Sequence, residues 1–138
     1  MKRCRQSIVR RGRKRLAAAI VLCAGGSALA VEISETARRE VDQILARVAQ
    51  SGCEFYRAGS WYTAADARSH LERKYRYLAA RNMIGTAEDF VALAGTRSSM
   101  TNEAYAIRCR GQAVQPSAAW LTAELRSLRG DPKPAAPR

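Results

Sequence analysis

Apolar residues along the chain fall into two rhythms. Ala37, Val41, Ile44, Leu45 and Val48 recur at spacings of three and four, which puts them on one stripe of a helix. Ser34 stands before them as a cap and Gly52 behind them as a stop. A second stripe (Ala67, Leu71, Tyr75, Leu78) follows Thr63-Ala-Ala-Asp66. A short third one, with Phe90, Val91 and Leu93, follows Thr86-Ala-Glu-Asp89 and stops at Gly95. In both starts the threonine hydroxyl can accept a first-turn N–H, and the acid three residues on favours the positive helix end. Pro116 and Ser117 open a fourth helix with Trp120, Leu121, Leu125 and Leu128 turned inward.

The second rhythm has a period of two. Residues 53–62 (CEFYRAGSWY) are rich in aromatic side chains around a turn signal, Ala58-Gly59-Ser60, and read as a short strand or hairpin with Cys53 and Phe55 on one face. After a polar loop at 95–102, residues 104–110 (AYAIRCR) alternate again, with Tyr105, Ile107 and Cys109 on one side and Arg108 and Arg110 on the other. The sum is an α+β domain of about four helices packed on a small two- to three-stranded antiparallel sheet.

The first 30 residues follow neither rhythm. Lys2, Arg3, Arg5, Arg10, Arg11, Arg13, Lys14 and Arg15 form a basic run without a single acid, and an apolar stretch (LAAAIVLCA, 16–24) comes next. Gly25 and Gly26 break that stretch, and Ala28-Leu29-Ala30 offers small residues for cleavage. This is the order of a signal peptide, cut near Ala30. The apolar stretch falls short of the ~20 residues that span a bilayer, so no stable membrane span is expected after cleavage. No small residue precedes Cys23, which argues against lipidation, and Arg10-Arg11 leaves the export route open between the general secretory and twin-arginine pathways. The organisation is therefore 1–30 signal peptide, 31–129 single domain, and 130–138 (GDPKPAAPR) disordered tail.

The leader also changes the meaning of charge. The chain carries a formal +12, but eight of its 24 basic residues lie in the leader; the remaining 16 face 12 acids, so the domain has a surplus of only four. Nucleic acid is not an expected partner. Removing the leader takes Cys4 and Cys23 away and leaves Cys53 and Cys109, an even pair in an oxidising, periplasmic or secreted setting. A disulfide between them closes a loop worth roughly 4 kcal/mol in the chain-entropy model. There is no Cys-x-x-Cys, and one histidine with two distant cysteines makes no metal set, so no metal and no cofactor are expected.

Candidate chemistry is sparse. Asp66, His70 and Lys74 are spaced by one helical turn each, either as an anion-binding or basic stripe or as a solvated face with His70 partly under Tyr77. Ser98-Ser99-x-Thr101 is a run of hydroxyls that serves as a nucleophile set, a ligand loop, or a loop bonded to its own backbone. Arg57, Trp61, Tyr62 and Tyr105 form an aromatic and arginine group suited to peptide or carbohydrate contact or to core packing. There is no Gly-x-Ser-x-Gly, no phosphate loop and no paired-carboxylate constellation.

Three blocks of residues carry a resemblance. They are Phe55-x-Arg57-x-Gly59-x-x-Tyr62 with Ala64, Ala67, His70-Leu71 and Lys74; Thr86-Ala87-Glu88-x-Phe90-Val91; and Ser98-Ser99-x-Thr101 with Tyr105, Ile107 and Trp120-Leu121. In this order they resemble the YfeK-like family, small exported bacterial proteins classed as a domain of unknown function. The chain departs from the family pattern at Ala58, where asparagine is usual, and at Asn102, where glycine is usual. The resemblance implies an envelope location and a shared fold, and supplies no activity. The expectation is a non-catalytic binding or accessory module that meets an envelope protein, peptide or glycan through Arg57, Gly59, Tyr62, Thr101 and Tyr105. The alternative is a small envelope hydrolase using Ser98 or Ser99 with His70 or Lys74.

Overall fold

The computed structural model describes residues 32–131. The expected signal peptide, and all but the first two residues of the expected tail, lie outside the described residues. Four helices and four strands follow in the order α1 (Glu35–Gln50), β1 (Glu54–Arg57), β2 (Ser60–Tyr62), α2 (Ala64–Ala79), α3 (Ala87–Ala94), β3 (Ala106–Arg108), β4 (Gln115–Pro116) and α4 (Ser117–Leu128). None of these helices is long and apolar enough to cross a membrane.

The helix starts are set by side-chain chemistry. Ser34 accepts from the Ala37 N–H, Thr63 from Asp66 and Thr86 from Asp89. At α3 the Asp89 carboxylate reaches back to the Thr86 N–H at 2.9 Å, completing a reciprocal box. The stripe of α1 is fully inward, with Val41, Ile44 and Val48 at 0 % exposure. Phe90, Ile107 and Leu121 meet it from α3, β3 and α4, so one core joins all layers. Burying each such side chain stabilises by about 1.5–3 kcal/mol. In α3, Phe90 and Val91 are buried while Leu93 is exposed, and Ala94 takes the inward position.

The sheet is antiparallel throughout, in the order β2-β1-β3-β4. It has four strands where the sequence predicts two or three. The extra strand is β4, two residues pairing Pro116 with Ala106 and Gln115 with Ile107. Such a segment is too short for any periodicity, and its proline is tolerated because it sits at the sheet edge. Pro116 thus ends a strand and precedes α4 rather than opening the helix.

The β1–β2 turn holds Ala58 at φ 48° and Gly59 at φ 82°. Two consecutive left-handed residues give the tight hairpin whose twist matches its strands. Register then sorts the side chains. Phe55 is opposite Tyr62 and Ile107, on the face toward the helices, while Tyr56 is opposite Trp61 and Ala106, on the outer face. Cys53 and Cys109, flanking β1 and β3 at one end, are joined with a Cα–Cα distance of 4.4 Å. Arg57 and Tyr105 flank the same two strands at the other end.

Candidate functional site

The open end of the β1–β3 pair meets the first two turns of α2, and two adjoining hollows form there. The inner one has a volume of about 30 Å3 and is walled by Phe55, Tyr62, Ala67 and Leu71, and it shares Arg57, His70 and Tyr105 with the second. That is room for about one water molecule. The outer one, about 370 Å3, is lined by Arg57, His70, Arg73, Lys74, Tyr77, Ser98, Ser99, Met100 and Tyr105. Helical spacing brings His70, Arg73 and Lys74 to one side of α2. The loop between α3 and β3 supplies the serines and Met100.

His70 and Tyr105 are the centre of the site. The imidazole Nε2 and the tyrosine hydroxyl are 3.1 Å apart, with donor and acceptor set by the imidazole tautomer. Their rings meet edge to face with centroids 5.9 Å apart. Partial burial, reinforced by the positive charges of Arg57, Lys74 and Arg73, lowers the His70 pKa to about 4. The ring is therefore neutral near neutral pH. Burial also raises the Tyr105 pKa, which keeps its hydroxyl protonated, and lowers that of Lys74. Lys74 Nζ donates to the Arg97 carbonyl at 2.7 Å and lies 5.2 Å from the centre of the Tyr105 ring. Arg57 stacks its guanidinium 4.7 Å above the Tyr62 ring.

The hydroxyl loop is held by its own bonds. Ser98 Oγ accepts from the Met100 and Thr101 N–H groups at 3.3 and 3.2 Å, and the Ser98 N–H donates to the Glu103 carbonyl at 2.9 Å. Thr101 Oγ1 accepts from the Glu103 N–H at 3.4 Å. Asn102, at φ 57°, occupies a left-handed position, which asparagine tolerates better than most residues. Arg97 reaches across to Asn102 Oδ1 at 3.0 Å.

Of the residues singled out in the sequence, Arg57, Tyr62, His70, Lys74, Ser98, Ser99 and Tyr105 line one or both hollows. Gly59 sits at the exposed hairpin tip and Thr101 faces its own loop, outside both linings. Trp61 separates from the aromatic group: it lies on the outer face of the sheet, tilted against Tyr56 and under Arg108. His70 packs on Tyr105 rather than under Tyr77, which is exposed and stacks with Arg81 instead. Asp66 borders the inner hollow, its carboxylate accepting the Thr63 hydroxyl at 2.7 Å. Sequence reasoning missed Arg73 and Met100. Arg73 was within reach of it, three residues from His70 on the same helix; Met100 reaches the site only through the loop's conformation.

A family model described as a family of unknown function (DUF5329) matches residues 35–129, from the first residue of α1 to the residue after α4. The chain belongs to the DUF5329 family. No curated protein and no solved structure matches it. Both hollows and the disulfide of this DUF5329 domain fall inside the matched residues.

Proposed function

We propose that this DUF5329 domain is a non-catalytic binding or accessory module of the cell envelope, and that an envelope protein, peptide or glycan seats in the outer hollow. The basic-apolar-small order of the leader supports the periplasmic location. One observation carries the choice of binding over catalysis: His70, Lys74 and Ser98 each already have another partner, and Ser99 has no base bonded to it among the described residues. His70 bonds Tyr105, Lys74 bonds the Arg97 carbonyl, and Ser98 Oγ accepts two N–H groups of its own loop. A serine nucleophile needs a base within hydrogen-bond reach, and no bond joins either serine to His70 or Lys74 among the described residues.

The test uses Met100, which is 96 % exposed at the hollow's rim. A photo-crosslinking amino acid at this position in the native envelope is expected to give a discrete adduct. The same probe at Leu93, exposed on α3 away from the hollow, is expected to give none. Covalent labelling of Ser98 or Ser99 by a fluorophosphonate, abolished by Ser98→Ala or Ser99→Ala, would overturn the reading in favour of a small hydrolase.

A further inference from the structure

The outer hollow has an unbalanced charge. Its lining holds three cations, Arg57, Arg73 and Lys74, and no carboxylate. None of the three has an ion-pair partner among the described residues, whereas Arg39, Arg47, Arg68, Arg76, Arg108 and Arg129 each meet a glutamate. Asp66 lines the adjoining inner hollow and takes the Thr63 hydroxyl. Like charges gathered at a concave site raise the local concentration of anions.

Donor type narrows the anion. Phosphate sites commonly rest on free backbone N–H groups at a loop or helix start. Here the N–H groups of Ser98, Met100, Thr101 and Asn102 are all bonded within the loop. The start of α2, where Thr63 takes the Asp66 N–H, is not part of this lining. What remains is the single N–H of Ser99, too little for a backbone cradle, and the side-chain donors: two guanidinium forks, an ammonium with two unspent protons, and the Ser99 hydroxyl. A guanidinium fork matches a carboxylate with two parallel bonds. Tyr77, Met100 and Tyr105 add an apolar wall beside these donors.

We infer that the outer hollow takes a small carboxylate ligand with an apolar body, its carboxylate on Arg57 and Arg73 and its body against Tyr77, Met100 and Tyr105. This rests on the binding-module reading and gives that module its ligand class. His70 sits behind the carboxylate position, faced by Arg57 from β1, by Arg73, Lys74 and Asp66 from its own helix, and by Tyr105 from the strand β3 side. A bound anion favours the protonated imidazole and opposes the burial and cations that keep it neutral.

The chain contains a single histidine, so its ring resonance reports on the site without ambiguity. The oxidised protein is titrated by NMR with 3-phenylpropionate, with its neutral amide, and with inorganic phosphate. The carboxylate is expected to shift the His70 resonance saturably and to raise its titration midpoint from about 4 by about one pH unit. The amide is expected to bind at least about tenfold more weakly, and Arg73→Gln to weaken the carboxylate by about tenfold. Arg73 is exposed, so this variant retains the fold, as near-ultraviolet circular dichroism checks. Equal binding of acid and amide, unaffected by Arg73→Gln, overturns the carboxylate assignment and leaves the binding module standing. Phosphate binding as tightly as the carboxylate also overturns it, in favour of a phosphate site. No response to any of the three sinks the ligand class, and the module reading falls with it only if the Met100 cross-link is also absent.

Discussion

Two groups of charge in this domain make opposite use of arginine. In the first, Arg129 ties α4 to α1 and α3: it bonds both oxygens of Glu40 at 2.7 and 2.9 Å and also both oxygens of Glu88. Those bonds lower the pKa of each glutamate and raise that of the arginine, so every partner is held in its charged form. In the second, Arg57, Arg73 and Lys74 gather around a neutral histidine in a lining that holds no carboxylate. The first group satisfies itself and fastens elements together. The second leaves its charge unspent at an opening. The contrast separates scaffold from site without any appeal to function.

The largest expected effect belongs to the scaffold. Replacing Cys53 and Cys109 together by serine should cost about 2–5 kcal/mol, read as a drop in the urea midpoint, since the bond restrains a long unfolded loop. Next comes Gly95, where an added Cβ would overlap Leu121 Cδ1 and crowd the Val91 carbonyl. Gly95→Ala should destabilise by about 1–3 kcal/mol, and a neutral result would mean that α3 and α4 pack less closely than described. The charge comparison is broken most directly by a matched pair of variants. Arg129→Met should lose up to about 1 kcal/mol, while Arg73→Gln should stay within about 0.5 kcal/mol of wild type. Equal losses would erase the distinction. In the opposite direction, Ala58→Asn should stabilise by about 0.5–1 kcal/mol, because asparagine accepts the left-handed backbone that alanine resists.

The smallest effect is the pH dependence of His70. Its folded-state pKa is below the ordinary value, so the neutral form stabilises the fold above about pH 6.5, and that contribution fades as pH falls toward about 4. Wild type minus His70→Asn should show a melting-temperature difference that shrinks across this window, by a few degrees at most. A flat difference would place the imidazole in solvent.

Most of the scaffold was legible in the sequence because it is written in local chemistry. Ser34, Thr63 and Thr86 announce helix starts through their own hydroxyls, and the stripe from Ala37 to Val48 needs only helical geometry to become a buried face. The cysteine pair follows from counting. The site was legible only in part. His70, Lys74, Ser98 and Tyr105 could be named, but which of them touch depends on the Asn102 turn and on the register of β1 with β3. Those are long-range facts. Trp61 shows the cost: adjacent to Tyr62, it was grouped with it, yet alternation sends the two to opposite faces of the sheet. β4 was missed because two residues carry no period.

The cystine and the opening lie at opposite ends of the same two strands, Cys53 and Cys109 at one, Arg57 and Tyr105 at the other. Chemistry at the rim is thereby uncoupled from the covalent anchor. The hairpin tip at 58–60 and the segment 98–102 hold no cysteine and no fully buried residue, so foreign sequences of matching turn geometry grafted there are expected to change recognition while leaving the cystine and the α1–α4 core in place.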